Sequence, residues 1–247
     1  MGIRGFKRGV SMKVLSLAAA AVLAGVGARA ASAAPLGTLQ DLINDGAAGV
    51  TIGNYQFYGF QYQGIPTAGP NPAPTASQIT VSLPDNVQTI GLQFSAVWQS
   101  VLGLNQESKI NYYVHALNAE PLQFFAGVGV SFNGAVPIPG TSTFAQETDI
   151  LTDTSGIPLA NFTPITVFDD GTSASIDSSK SVSIAQGIRD IGIFKDITVS
   201  SSQDGGLSTI SVSNNTFVTP VGQSPEPASL GLFAVAGVGL LRRRQRA

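Results

Sequence analysis

Few residues in this chain have the types and spacing to do chemistry, and carboxylates come first. In FAQETDIL, Glu147 and Asp149 stand two residues apart, which puts both on one face of a strand. Glycoside hydrolysis needs two facing carboxyls, ~5 Å apart for retention and ~6.5–9.5 Å apart for inversion. Glu107, Glu120 and Glu147 are the only glutamates between residues 34 and 224. The pattern favours a milder reading of Glu147 and Asp149: a solvated acidic face on an edge strand, which discourages edge-to-edge pairing. FDDGTSASID supplies Asp169, Asp170 and Asp177 beside flexible turn residues. Calcium takes such ligands, but the run lacks the Asp-x-Asp-x-Asp-Gly spacing and closing glutamate of a dedicated loop. Asp169, Asp170 and Asp177 therefore stand as candidate calcium ligands against an ordinary acidic turn, and no other cofactor is expected.

His115 is the single histidine. A general base wants an orienting carboxylate and a nucleophile beside it, and no nucleophile-elbow sequence appears. His115 reads as a half-buried residue of a sheet. Aromatic side chains are candidates for stacking on sugars: Trp98, Tyr58 and Tyr62, with Tyr55, Tyr112 and Tyr113 beside them in sequence. Trp98 lies in LQFSAVWQSVLGL, where apolar neighbours favour core packing. GVGVSFNG reads as a strand and not as a phosphate-cradling turn before a helix, so nucleotide binding has no support.

Charge and cysteine content narrow the classes further. Nine of the thirteen basic residues lie before residue 34 or after residue 224; the body keeps Lys109, Lys180, Arg189 and Lys195 against fourteen acids, a formal −10. That balance argues against nucleic acid and anionic membrane as partners. With no cysteine, thiol catalysis, iron–sulfur clusters and disulfides are excluded.

The elements that would position these residues are almost all strands. TLQDLINDG is the one helical candidate: Thr38 caps, Asp41 takes the third helical position, Leu39, Leu42 and Ile43 share a face, and Gly46 stops it. VTIGNYQFYGFQY is aromatic on both parities, and the parity switch near Tyr58 predicts a bulge or bend. Gly64 to Ser77 reads as a loop. QITVSL, TIGLQFSAVW, KINYYVHAL and LQFFAGVGVSF read as strands, followed by a broken stretch. SVSIAQGI, IGIFKDITVSS and LSTISVSNNTFV add three more, with Gln203-Asp204-Gly205-Gly206 as a hairpin turn between the last two. Eight to ten strands with one short helix predict an all-β fold, an antiparallel β-sandwich or jelly roll.

The two ends carry the clearest pattern. Arg4, Lys7, Arg8 and Lys13 precede an apolar run from Val14 to Ala28, and Ala31-Ser32-Ala33 follows. This is the layout of a secretory signal peptide, with cleavage after Ala33 set by Ala31 and Ala33, and with Met12 as an alternative start. At the other end the run Ala228 to Leu241 has fourteen residues, ~21 Å as a helix, short against a bilayer core of ~30 Å. Arg242, Arg243, Arg244 and Arg246 act as membrane-stop residues that stay inside, with snorkelling to recover length.

Pro225-Glu226-Pro227, the short apolar span and the arginine cluster, in that order, resemble the PEP-CTERM sorting signal of Gram-negative bacteria. The resemblance implies recognition by an exosortase, a membrane-embedded cysteine transpeptidase-like enzyme that cuts near Pro225-Glu226-Pro227, after transient membrane insertion through the C-terminal helix. It also implies company with exopolysaccharide. NYQFYGFQY, SKINYYVHAL and the stretch from IGIFKDITV to SNNTF resemble, more loosely, PEP-CTERM cargo proteins of unassigned function. The expected organisation is 1–33 signal peptide, 34–223 β-sandwich and 224–247 sorting signal. The expectation is an exported surface or extracellular-matrix protein associated with exopolysaccharide and without catalysis. The alternative is a carbohydrate-binding module or glycan-active enzyme on the same scaffold.

Overall fold

Alternation is the rule that builds this molecule. In Asn105–Ala116, NQESKINYYVHA, every second residue from Gln106 to Ala116 is buried and the intervening ones are not, the period-two signature of a strand with one face on a core. The computed structural model describes residues 35–218 apart from 67, 85–89, 118–124, 141, 160–161, 173–177 and 186. The strands run β1 Pro35–Thr38, β2 Val50–Ile52, β3 Tyr55–Ile65, β4 Thr80–Ser82, β5 Ile90–Val101, β6 Asn105–Ala116 and β7 Gly127–Phe132, then β8 Ala135–Ile138, β9 Phe144–Thr152, β10 Ile165–Asp169, β11 Ser179–Ser183, β12 Asp190–Ser200 and β13 Leu207–Val218. One helix, α1 Leu39–Asp45, and a single 3₁₀ turn, Ala76–Gln78, complete the described elements.

Two antiparallel sheets form. The first has the order β1-β4-β5-β13-β7-β11 with β8 also on β13, and the second β10-β9-β12-β6-β3-β2. Their inner faces meet in one apolar core that includes Phe57, Phe94, Trp98, Ile110, Tyr112, Val128, Ile197 and Phe217. The expected all-β antiparallel sandwich is the fold observed. The described residues belong to one compact unit, Ser32–Ala247. Among them no helix is long and apolar enough to cross a membrane. The expected leader 1–33 and sorting signal 224–247, with Ala31, Ala33, Pro225, Glu226, Pro227, Arg242, Arg243, Arg244 and Arg246, lie outside the described residues.

The helix starts as its sequence predicts. Thr38 Oγ1 accepts from the Asp41 amide at 3.2 Å and Asp41 Oδ2 accepts from the Thr38 amide at 2.8 Å, a reciprocal capping box. Leu39 and Leu42 are buried, and the Leu39 amide donates to Ile79 carbonyl oxygen.

Four expectations are corrected. VTIGNYQFYGFQY is a hairpin and not one bent strand: β2 pairs with β3 around Gly53-Asn54. The broken stretch contains β8, β9 and β10, because Pro, Gly and Thr interrupt it and the buried row of β9 includes Glu147 and Asp149 among apolar residues. β9 is not an edge strand, since it lies between β10 and β12. Finally, the segment from Gln203 to Gly206 is not a hairpin turn. β12 belongs to the second sheet and β13 to the first, so the turn carries the chain from one layer to the other. Turn residues reverse a chain, but they do not say whether the next strand pairs with the last or packs over it. The packed arrangement buries the inward rows of both strands, Ile191, Ile193 and Ile197 with Ile210 and Phe217.

Candidate functional site

The outer face of the second sheet gathers the aromatic and polar side chains that can meet a ligand. Its geometry follows from a bulge. β3 and β6 stay in register through Tyr58↔Tyr113 and resume at Gln61↔Asn111, with the irregularity between. Gly59, at φ 67°, is the residue that adopts the left-handed conformation there, which glycine does without steric cost. The parity switch puts Tyr55, Phe57 and Phe60 in the core and leaves Tyr58 outside.

Tyr113 stands on this face between two glycines. A Cβ on Gly59 would stand 3.0 Å from Tyr113 Cδ2, and one on Gly192 would stand 3.1 Å from Tyr113 Cε1. A side chain at either glycine would crowd the ring and make it shift. The Tyr58 ring stands beside it, centroids 5.6 Å apart and tilted by 32°. One step along the same face, His115 Nδ1 meets Asp190 Oδ1 at 2.6 Å, with side-chain exposures of 35% and 40%. Gln56, His115 and Asp190 face one another across three strands by register. The ring nitrogen and the carboxylate oxygen are within hydrogen-bond distance, and the contact orients the imidazole on this face. Burial, with the charges of Asp190 and Tyr113, pushes the Tyr58 phenol up, which keeps it a neutral hydroxyl. Two residues the other way, Asn111 holds a buried Oδ1 with no hydrogen-bond partner among the described residues.

The inner face of the same sheet holds a second cluster. Glu147 and Asp149 share one strand face as expected, but it is the buried one. Both are 0% exposed, and so is Lys195 of β12. The solvated face predicted for them is therefore overturned, and carboxylates sealed in this way cannot flank a glycosidic bond. Lys195 stands opposite Asp149 in the ladder. Its Nζ donates to Asp149 Oδ1 at 3.1 Å and Oδ2 at 3.3 Å, and also to Glu147 Oε1. Asn215 of β13 donates its amide to Asp149 Oδ2 and accepts from the Tyr112 hydroxyl at 2.9 Å. Burial raises the Glu147 carboxyl to about 7, with Lys195 opposing and Asp149 adding to the rise. Ser213 lies close enough to temper that rise, yet neither its hydroxyl nor Glu147 Oε2 completes a hydrogen bond of good geometry. For Lys195, burial pulls the amine down, but the charges of Asp149 and Glu147 outweigh it and the net direction is upward.

The other candidates scatter. Trp98 is 0% exposed and donates from Nε1 to Ser108 Oγ at 3.0 Å, so it packs the core and is withdrawn as a sugar contact. The Tyr62 hydroxyl binds Ser108 Oγ at 2.9 Å and the Pro74 carbonyl. Its ring lines a cleft of about 500 Å³ with Gln40, Ile43 and Ala73, away from Tyr58. Asp169 and Asp170 accept from the Gly171 and Thr172 amides at 2.7 and 2.9 Å, the bonding of a turn. Asp177 and Glu120 lie outside the described residues. No group of three or more metal-ligand side chains gathers among the described residues.

Sequence reasoning missed two partnerships, His115 with Asp190 and Lys195 with Glu147 and Asp149. Both join residues distant in sequence, and only the strand order brings them together. The signal that could have found the second is Lys195 itself, a cation on the apolar parity of IGIFKDITV.

The described residues thus define an antiparallel β-sandwich with an aromatic–polar outer face. No protein-family model matches the chain, and no curated protein matches it. Among solved structures, one similar chain is TmCBM61 in complex with β-1,4-galactotriose, at 9% identity and TM-score 0.29, covering 74% of this chain and 99% of that one. Another is the enzymatically active domain of bacteriophage CBA120 tailspike protein 4, at 14% identity and TM-score 0.26, covering 70% of this chain and 21% of that one. Likenesses this slight carry no weight for function.

Proposed function

We propose that this protein is an exported β-sandwich of the cell surface or extracellular matrix that holds glycan chains on the outer face of its second sheet, without catalysing a reaction on them. The observation that carries the glycan reading is the Tyr113 ring between Gly59 and Gly192, with Tyr58 beside it and the His115–Asp190 pair at its border. A flat ring offers a surface to the C–H face of a sugar, and the polar border offers partners to its hydroxyls. A body of formal charge −10 repels acidic polymers, so the glycan is a neutral one. Export rests on the leader 1–33, and sorting by an exosortase rests on Pro225-Glu226-Pro227, the apolar span and the arginines.

Affinity gel electrophoresis tests the glycan reading, with a β-1,4-glucan, a β-1,4-galactan, dextran and alginate cast separately into native gels. Retardation by at least one neutral polymer and not by alginate is expected. Tyr113→Ala is expected to weaken it about tenfold, the equivalent of ~1.4 kcal/mol. Mobility unchanged in every polymer, or retardation indifferent to Tyr113→Ala, would sink it.

A further inference from the structure

The sealed cluster cannot touch a glycan, and its chemistry leads elsewhere. We propose that Lys195 and Asp149 condense within the folded core into an intramolecular amide bond that staples β12 to β9, with Glu147 carrying the protons.

Placement is the first argument. The amine and the carboxyl are register partners on adjacent strands. Nζ lies at nearly equal distances from the two Asp149 oxygens, 3.1 and 3.3 Å, and both side chains are wholly buried. Groups held this way react at effective molarities of ~10⁵–10⁸ M. Charge is the second argument. With all three groups ionised the cluster carries one negative charge in excess in an apolar interior, a costly state. Condensation turns one amine and one carboxyl into a neutral amide.

The step balances without a co-reactant. In the neutral form of the cluster, Lys195 is an amine and both carboxyls are protonated; Lys195 reaches that minority form by passing a proton to a carboxylate it touches. The Nζ lone pair attacks Asp149 Cγ and the N–C bond forms. Glu147 gives its proton to the departing hydroxyl as the C–O bond breaks, so the leaving group is water. Glu147 then takes a proton from the nitrogen and ends as it began. The net change is amine plus carboxylic acid to amide plus water, with nothing oxidised or reduced. Asn215 already donates to Asp149 Oδ2, where negative charge develops, and the Tyr112 hydroxyl fixes that amide's orientation. Ile193 and Ile197, inward neighbours of Lys195, and Leu151, inward neighbour of Asp149, are buried and shield the new bond from hydrolysis.

The test is the intact mass of the denatured wild-type chain, once its two ends are known. The expected mass is one water below that of its sequence. Trypsin cuts after Lys109, Lys180 and Arg189 but not after an acylated lysine. A branched peptide joining residues 110–180 to the segment that begins at Asp190 is therefore expected. Glu147→Gln is expected to keep the circular-dichroism spectrum of the folded protein and the full sequence mass. Asp149→Asn is expected to form the same amide by releasing ammonia and so to reach the wild-type mass. A wild-type chain at full sequence mass overturns the proposal, as does a branch point at Glu147. Complete linkage in Glu147→Gln removes Glu147 from the step. The wild-type measurement stands even where a variant fails to fold.

Discussion

Glu147 is held as an acid where an ordinary glutamate would be an anion. Its carboxyl titrates at about 7 in the fold against 4.5 for the ordinary group, chiefly because burial penalises the charge. Between those two values the native state binds more protons than the unfolded chain, so stability falls as pH rises. The contribution is full below 4.5 and lost above about 7, a difference of about 3 kcal/mol. Burial drives this shift, so the direction holds whether or not Lys195 and Asp149 are joined. Urea midpoints of the wild type are expected to fall across this range relative to those of Glu147→Gln. A wild-type midpoint that climbs over the same interval would refute the assignment. At this scale the sequence was half legible. The two-residue spacing showed that Glu147 and Asp149 share a face, but not which face. Carboxylates read as outward by default, and only the buried Lys195 opposite, 46 positions from Asp149, makes the inward choice tolerable.

The elements show where alternation suffices and where it does not. In KINYYVHAL the period of two separates Tyr113 and His115 from Tyr112 and Val114, and the fold buries the second pair and not the first. In NYQFYGFQY the parity switch at Tyr58 marks the bulge that the β3–β6 register shows. What it could not show is that Gly59 also makes room for a ring two strands' breadth of side chains would otherwise fill. Gly59→Ala tests both roles. The substituted residue must hold φ near 67°, a strain of about 1–2 kcal/mol, with its Cβ 3.0 Å from Tyr113 Cδ2. Lower stability in chemical denaturation and weaker retention in neutral-polymer gels are expected together. Wild-type stability in this variant would refute the account of the bulge. The layer-crossing turn before β13 was not legible, because Gln203-Asp204-Gly205-Gly206 has the chemistry of a reversal and nothing in it names a sheet.

The molecule as a whole separates its resources by surface. The second sheet turns an aromatic–polar face outward and an ionic cluster inward, and a −10 body keeps acidic polymers at a distance. The proposed leader and sorting signal at its ends are tested by a separate measurement. Intact masses of the native protein from membrane and medium fractions are expected to show a C-terminus near Pro225 to Pro227, with Arg242, Arg243, Arg244 and Arg246 gone. A chain running through Ala247 in the membrane fraction would contradict exosortase processing. It would leave a domain on a short anchor, and the matrix reading would lose its chief support.

The layer-crossing connection has a consequence for timing. β12 lies in the middle of one sheet and β13 in the middle of the other, yet they are the last two of the described strands in chain order. Without them the earlier strands pair only in part, as β1-β4-β5 and β7-β11 in one sheet and as β10-β9 and β6-β3-β2 in the other, and β8 has no partner among the described strands. A ribosome that has made residues 1–189 has made two sheets that lack their centres, and long-range pairing of this kind is slow to reward the chain. Closure of each sheet is thus postponed until β12 and β13 have been made, and the two partial sheets are joined into one sandwich late in synthesis.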